Sequence, residues 1–412
     1  MKYIFTISLI VLSLCATREG RCQGSWSTDS SSGFTPDGAA GSAILNGKIY
    51  IIGGSPYFQG ITNTVQVFDP TTHKWTQGPD MPTTRVSLTC SALNGKIYAC
   101  GGATDTGANV YTHVMEIFDS ATNGWSEGPP LLIARSGHAA SIVNGKLYLI
   151  GGYGIGNNII LDSVDVFDPS TNSWSSAAPI PTKRAELTSS VLAGKIYTIG
   201  GYSSDERPMD TVEIFDPVSN SWSAGPSMPL ALSDCASCTL NGKIYVFGGI
   251  QETIDSRVLE IFDSATNSWS LGPDMPTGRM DLMSATVNGQ IYAIGGIGNP
   301  DAVSVNEVFT PGPLGVAESE AAGSGLRVFP NPFTQSTQIT FTSQSAGYAE
   351  VSIVNTLGVE VARLFSGELG AGEHSFVWNC RGALQCAPTD GVYECLVRMN
   401  GRVETLPVVL MR

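Results

Sequence analysis

LNGKIYIIGG, residues 45–54, is the first of six near-copies of one decapeptide. The others are LNGKIYACGG (93–102), VNGKLYLIGG (143–152), LAGKIYTIGG (192–201), LNGKIYVFGG (240–249) and VNGQIYAIGG (287–296). Their last glycines are 47 to 50 residues apart. A repeat of this length indicates a solenoid or a propeller.

A second phrase follows each of the first five copies and ends in a tryptophan. In the third repeat, VFDPSTNSW (166–174) is that phrase. The pattern there predicts strands over 137–143, 146–150, 164–167 and 174–177. Asn-Gly and Asp-Pro turns separate them, made of residues that tolerate positive φ or bond their own backbone. Four short strands per repeat are typical of a propeller blade.

These repeats resemble the kelch repeat, whose signature is a diglycine after a short apolar run, then a spaced Tyr and Trp. The resemblance covers about residues 25–311 and implies a six-bladed β-propeller over 24–311. The sixth copy lacks its tryptophan, but Trp26 lies one full period before Trp75. The N-terminal segment is therefore expected to pair with the last blade near Phe309 and close the ring. Six tryptophans are expected to be structural: Trp26, Trp75, Trp125, Trp174, Trp222 and Trp269.

The C-terminal part of the chain has a different pattern. Residues 312–326 are rich in Pro, Gly, Ala, Ser and Glu, which predicts a linker. Residues 327–412 alternate as short strands, which predicts a small β-sandwich in an all-β chain.

The C-terminal segment resembles the type A sorting domain of the type IX secretion system. The motifs are VFPNPF (328–333), NTLG (355–358), GAGEH (370–374), Trp378 and GVY (391–393). The resemblance implies that the type IX machinery is a partner and carries the protein across the outer membrane of a Bacteroidetes-like bacterium. The alternative is that the sandwich is itself a carbohydrate-binding module.

The N-terminus has the form of a secretory signal peptide over residues 1–22, with one lysine before an apolar run too short to span a bilayer. The cleavage site stays open, and lipid attachment at Cys15 is the alternative. No later stretch is long and apolar enough for a transmembrane segment. Export permits disulfides, and Cys380 and Cys386 are the candidate pair. The Cys235–Cys238 pair is interpreted as two small strand residues rather than a zinc or redox site.

Composition excludes several classes of protein. The net charge is −14, only 14% of residues are charged, and no cluster of Lys and Arg occurs, which argues against nucleic-acid binding. An apolar fraction of 42% argues against a disordered chain. No nucleophile elbow, Walker loop or HExxH motif is present, and four histidines are too few for an evident metal cage. We therefore predict no cofactor and no metal, and assign no catalytic residue.

The candidate ligand site lies where each repeat enters its innermost strand. Arginine stands nine residues before the hairpin in four of the six repeats, and carboxylates follow two residues later in three. His138 lies beside them. The candidate channel-mouth residues are Arg85, Arg135, His138, Arg184, Glu186, Asp234, Arg279 and Asp281.

Two interpretations of this set compete. In the first, arginine forks bind an anionic or sugar ligand at a site facing blades two to four, with Tyr57, Tyr111, Tyr153 and Tyr202 stacking on a ring. In the second, the arginines pair with carboxylates and hold adjacent blades together. We expect a secreted or surface-exposed binding module for a glycan or a protein. The alternative is a carbohydrate-active enzyme resembling the sialic-acid epimerases built on kelch rings.

Overall fold

The computed structural model describes residues 24–312 and 326–410 of the chain. Within these ranges it leaves out residues 30, 32, 36, 57–59, 106–109, 157–158, 206, 299–302, 332, 334, 344, 356–359, 380–390 and 400–401. The predicted signal peptide, nearly all of the predicted linker and the Cys380–Cys386 pair therefore lie outside the described residues. In the parts that are described, no helix has the length and apolarity that a membrane span requires.

Six four-stranded antiparallel sheets form the first part of the fold, and we number them 1 to 6 along the chain. One strand, β1 (Gly24–Asp29), precedes them in sequence. Sheet 1 contains β2 (Gly41–Leu45), β3 (Lys48–Ile52), β4 (Val65–Asp69) and β5 (Lys74–Gln77). Sheet 2 contains β6 (Thr89–Leu93), β7 (Lys96–Cys100), β8 (Met115–Asp119) and β9 (Gly124–Glu127).

Sheets 3 and 4 repeat this order. A short strand, β10 (Arg135–Ser136), comes first. Sheet 3 contains β11 (Ala139–Val143), β12 (Lys146–Ile150), β15 (Val164–Asp168) and β16 (Ser173–Ala177). Its variable loop forms a hairpin of β13 (Tyr153–Gly154) and β14 (Ile159–Ile160). Sheet 4 contains β17 (Thr188–Leu192), β18 (Lys195–Ile199), β19 (Val212–Asp216) and β20 (Ser221–Ala224).

Sheets 5 and 6 complete the series. Sheet 5 contains β21 (Ala236–Leu240), β22 (Lys243–Phe247), β25 (Leu259–Asp263) and β26 (Ser268–Leu271). Its loop hairpin is β23 (Ile250–Gln251) and β24 (Ile254–Asp255). Sheet 6 contains β27 (Met283–Val287), β28 (Gln290–Ile294) and β29 (Asn306–Pro311), and its outer strand is β1. The four strands predicted for the third repeat are all present, although the first begins later because Gly137 turns the chain with a φ of 58°.

The hairpin turns follow from their sequence. Asn144 has a φ of 52° and Gly145 a φ of 73°, which is the backbone that a tight two-residue hairpin requires. An exposed ion pair spans the same end of the sheet, where Lys146 lies 3.0 Å from Asp168. In sheet 6 both partners of this pair are replaced, and Gln290 donates a hydrogen bond to Thr310 at 3.0 Å.

Strand β1 takes the place that the sixth repeat leaves empty. It pairs antiparallel with β29, with Trp26 opposite Phe309 as the sequence predicts. The indole N–H of Trp26 donates to the carbonyl of Pro273 at 2.9 Å, at the end of sheet 5. The indole of Trp125 in sheet 2 makes the equivalent bond to Pro79, at the end of sheet 1. Each of these tryptophans therefore ties its sheet to the preceding one.

Six residues, one just before the innermost strand of each sheet, are linked by backbone hydrogen bonds of 2.7 to 3.1 Å. We call them the ring residues: Ala39, Ser87, Gly137, Glu186, Asp234 and Asp281. Each N–H donates to the carbonyl of the ring residue in the preceding sheet, and the N–H of Ala39 donates to the carbonyl of Asp281. The six hydrogen bonds thus form a closed circuit.

The C-terminal part forms two further sheets. One contains β30 (Arg327–Phe329), β31 (Ser336–Ser343) and β34 (Gly372–Asn379). The other contains β32 (Gly347–Asn355), β33 (Glu360–Leu369), β35 (Gly391–Met399) and β36 (Arg402–Leu410). Side chains from both sheets, among them Ile339, Trp378, Val351 and Val408, share one buried core. Such a core is what the predicted sandwich requires.

Candidate functional site

Three of the ring residues carry carboxyl groups, and the structure brings them together. Glu186, Asp234 and Asp281 each have a carboxyl oxygen within 4.8 Å of the other two. They come from sheets 4, 5 and 6, and they line a cavity of about 300 Å³. All three side chains are partly exposed. We call these three residues the carboxyl cluster.

The backbone that presents the carboxyl cluster is unusual. Glu186, Asp234 and Asp281 have φ values of 50° to 53°, in the left-handed region that residues other than glycine rarely adopt. The closed circuit of hydrogen bonds holds them there. The ring residue of sheet 3, Gly137, has no side chain, and a Cβ atom at this position would collide with the carboxyl group of Glu186. The glycine therefore makes room for that carboxyl group.

Crowding and burial make the carboxyl cluster hold protons. Burial, with the nearby charges of the other two carboxyls, raises the pKa of Glu186 well above its usual range. Burial raises the pKa of Asp281 to about 8 and that of Asp234 to about 6. Asp234 is the most acidic of the three because Ser233 donates a hydrogen bond of 2.7 Å to it and Glu186 also bonds it. Near neutral pH the cluster therefore contains ionised and protonated carboxyls together.

This arrangement has two chemical uses. Carboxylate oxygens at such spacing could hold a hard cation such as Ca²⁺, which prefers oxygen ligands. Neighbouring protonated and ionised carboxyls can also donate to and accept from the hydroxyl groups of one ligand, or act as an acid and a base. The second use needs no ion and matches the raised pKa values.

Tyrosines of the variable loops lie near the carboxyl cluster. Tyr153 and Tyr202 directly follow the diglycines of sheets 3 and 4, and their backbones pair with Ser136 and Ala185, each one residue before a ring residue. Burial raises the pKa of the Tyr153 phenol, and the charges of Glu186 and Asp234 raise it further. Burial and then Glu186 likewise raise the pKa of Tyr111. Tyr57 lies outside the described residues.

The prediction that the arginines line an open mouth is wrong. The side chains of Arg85, Arg135, Arg184 and Arg279 are all fully buried. Each guanidinium pairs with an acidic residue on the third strand of the sheet that follows the arginine in sequence. The four pairs are Arg85–Glu116, Arg135–Asp165, Arg184–Glu213 and Arg279–Glu307.

The second interpretation, in which the arginines pair with carboxylates and hold adjacent blades together, describes these residues better. Each ion pair lies within one repeat, but the backbone of the arginine also bonds the preceding sheet: the N–H of Gly102, at the end of β7 in sheet 2, donates to the carbonyl of Arg135 at 2.8 Å. In sheet 3, for example, Arg135 lies 2.7 Å from Asp165 and donates to the carbonyls of Gly151 at 3.0 Å and Ser163 at 3.3 Å. The guanidinium thus gives the Gly151 carbonyl a donor and adds a second donor to the Ser163 carbonyl, which also accepts from the N–H of Gly151 at 3.1 Å.

His138 lines the cavity but its ring is buried. One of its ring nitrogens, Nε2, bonds the hydroxyl of Thr89 at 2.9 Å. Burial, with the charges of Arg135 and Arg85, holds the pKa of His138 well below its usual range. The imidazole is therefore neutral near pH 7. Of the eight candidate residues, Glu186, Asp234 and Asp281 are brought together in the cavity, and they lie on sheets 4 to 6 rather than blades two to four.

Sequence reasoning missed the acidic partners of the arginines, although a signal was present. Each partner lies 28 to 31 residues after its arginine, in the strand that precedes the second turn. Of the two cysteines predicted to be strand residues, Cys238 is in β21 and Cys235 directly precedes that strand, and both thiols are free. Burial raises the pKa of both thiols.

Comparison with known proteins extends these observations. A family model described as the KLHDC2/KLHL20/DRC7 Kelch-repeats domain matches residues 20–179 and 137–310. Kelch-like protein 40 of Xenopus tropicalis is 39% identical over 66 residues, which are 16% of this chain and 11% of that protein. The N-(sulfonatooxy)prop-2-enimidothioate sulfolyase of Thlaspi arvense is 39% identical over 72 residues, 16% of this chain and 21% of that protein. The chain thus spans about a tenth to a fifth of these curated relatives.

A solved structure agrees with the sequence match. The one titled "Structure of YjhT" superposes with a TM-score of 0.59 at 19% identity, covering 66% of this chain and 94% of that one. At this identity the likeness shows the fold alone. The repeats, their four-stranded antiparallel sheets and the family match together place this chain in the family of kelch-repeat domain proteins.

Proposed function

We propose that the protein is an exported recognition module, a six-bladed kelch propeller that β1 closes and that binds a glycan or protein ligand at the carboxyl cluster. The closed circuit of ring residues supports six blades around one axis. The pairing of Trp26 with Phe309, and its bond to Pro273, support closure by the N-terminal strand.

The observation that carries the proposal is the carboxyl cluster itself, three carboxyl groups on adjacent sheets facing one cavity. Because the arginines are buried and paired, they offer no charge to an anionic ligand. The groups that remain favour a ligand with hydroxyl or basic groups. Tyr153 and Tyr202 could stack on the apolar face of a sugar ring.

The export part of the proposal rests on the two ends of the chain. Residues 327–412 act as the sorting domain for the type IX machinery, and residues 1–22 direct the first export step. The independent core of the C-terminal sheets, with Trp378 against Phe333 at a ring-centroid distance of 5.1 Å, supports a separately folded unit. We accordingly propose a location on the outer-membrane surface or outside the cell.

A second candidate function is catalysis of the sialic-acid epimerase-like kind. It is favoured by one observation, the different proton affinities of Asp234 and Asp281, whose pKa values burial raises to about 6 and about 8. Near neutral pH such a pair presents one ionised and one protonated carboxyl, which is what general base and general acid steps require.

Glycan-array binding separates these functions. The protein and its Asp281→Asn variant are compared with a Lys146→Ala control, whose exposed pair with Asp168 lies at the hairpin turns, away from the cluster. Recognition is supported if a sugar binds to the natural protein and to Lys146→Ala but not to Asp281→Asn. Turnover of the bound sugar, followed by NMR, supports the enzyme. Equal binding by both variants would contradict a site at the cluster.

A further inference from the structure

Sheet 5 lacks the arginine that sheets 2, 3, 4 and 6 place against their third strand. Leu232 stands at that position and is fully buried. The acidic partner is nevertheless kept, because Glu260 lies on β25 where Glu213 lies on β19 of sheet 4. Glu260 is therefore the acid of an ion pair whose cation is missing.

The surroundings of Glu260 supply little in place of the guanidinium. Its side chain is fully buried, and one carboxyl oxygen accepts a 2.8 Å hydrogen bond from the N–H of Leu230. The other oxygen has no hydrogen-bond partner among the described residues. The nearby charge of Asp210 disfavours the ionised form of Glu260, and the charge of Glu260 in turn helps to raise the pKa of the Cys235 thiol. Burial is the main reason why the pKa of Glu260 rises to about 7.

Glu260 lies where sheet 5 packs on sheet 4. Leu232 shares a buried cluster with Val212 of sheet 4, Met228 of the segment that follows sheet 4, and Phe262 of sheet 5. Asp210, whose charge reaches Glu260, also belongs to the loop of sheet 4. An ionised Glu260 would be a buried charge in this interface, and no cation among the described residues pairs with it.

We propose that Glu260 is a pH-sensitive element of the fold, and that its ionisation loosens the packing of sheet 5 on sheet 4. Sheets 4 and 5 also carry Glu186 and Asp234, so the same loosening alters the spacing of the carboxyl cluster. This role of Glu260 depends on its buried position opposite Leu232, where the other sheets have an arginine, and it does not depend on the proposed ligand.

Hydrogen exchange measured by mass spectrometry on the full chain tests this proposal. Exchange rates are corrected for the intrinsic rate at each pH. Between about pH 5.5 and about pH 8, the opening equilibrium constant of the β25 and β26 peptides should increase about 30-fold, provided that the opening which permits exchange exposes Glu260 to water. Peptides of β15 serve as the internal control, because Asp165 there keeps its arginine. Asp37, Asp234 and Asp281 titrate in the same range, so the measured quantity is the difference between sheets 5 and 3.

Two variants assign the effect to Glu260. Glu260→Gln keeps the shape and removes the charge, and should abolish the excess pH dependence of sheet 5. Leu232→Arg supplies the missing cation and should do the same. If Leu232→Arg does not fold, Glu260→Gln alone decides. Equal pH dependence of sheets 5 and 3 in the natural protein, or an excess that persists in Glu260→Gln, would overturn the proposal.

Discussion

Replacing Arg135 with leucine copies, in sheet 3, the natural state of sheet 5. Arg135 is fully buried, and its Nη2 lies 2.7 Å from Asp165 and 3.0 Å from the Ser163 hydroxyl. Its Nη1 donates to the carbonyl of Gly151. The substitution therefore leaves a buried carboxylate without its cation and a buried carbonyl without its donor.

The expected loss is large because both partners are desolvated. Removing one member of a buried ion pair costs about 3–5 kcal/mol of unfolding free energy, since the remaining charge stays buried. Arg135→Leu should fall in this range near neutral pH. The cost should shrink at acidic pH, where Asp165 can take up a proton instead. Burial already raises the pKa of Asp165 despite the guanidinium.

Urea unfolding followed by tryptophan fluorescence measures this loss. Arg135→Leu combined with Asp165→Leu should recover most of the stability, because two apolar side chains replace the pair. Lys146→Ala, which breaks an exposed pair, should cost less than about 1 kcal/mol. If Arg135→Leu lowers the free energy of unfolding by less than about 1 kcal/mol and also abolishes ligand binding, the structural role is refuted and Arg135 belongs to the ligand site.

Three further predictions concern closure, pH and export. Trp26→Ala should cost about 3–5 kcal/mol in urea unfolding, as should Trp125→Ala, because both indoles bond the preceding sheet; a loss confined to Trp125→Ala would argue against closure by β1. Burial raises the pKa of Asp37 to about 8, so its protonated form favours the fold. The contribution of Asp37 to stability should accordingly fall from about pH 4 to about pH 8 by about 1.4 kcal/mol per pH unit, and Asp37→Asn should make a measured curve of unfolding free energy against pH less steep by that amount. Deletion of residues 327–412 should stop surface delivery, assayed by cell fractionation, while residues 24–312 stay folded; normal delivery would count against the sorting role.

Most of the fold could be predicted from the number and spacing of the repeats. The six copies give the number of sheets, the Asn-Gly and Asp-Pro turns give the strand ends, and the missing sixth tryptophan identifies the partner of β29. These features are local or periodic, so they can be counted along the sequence. The C-terminal strands alternate in the same readable way, although their division into two sheets depends on long-range pairing.

The direction in which the arginine side chains point could not be predicted by counting along the sequence. The side chain at position 135 is two residues from the ring residue Gly137, and closeness in sequence suggested a shared opening. The chain instead turns at Gly137, so that the guanidinium passes into the sheet and the next side chains face the cavity. A residue in the left-handed region reverses the usual alternation of a strand, and this reversal separates the arginines from the carboxyl cluster.

The ring also breaks the symmetry of the repeat in a way that bears on function. Sheets 1 to 3 contribute Ala39, Ser87 and Gly137, which are small, while sheets 4 to 6 contribute three carboxyl groups. In the proposed recognition function, a ligand would thus meet small side chains on one side of the cavity, where the Glu186 carboxyl already occupies the space beside Gly137, and carboxyl groups on the other. The three carboxyl groups lower stability when they ionise, because adjacent carboxylates repel one another unless they hold protons. In the proposed recognition function, the small side chains opposite the cluster leave room for a ligand that takes up the hydrogen bonds of these carboxyl groups.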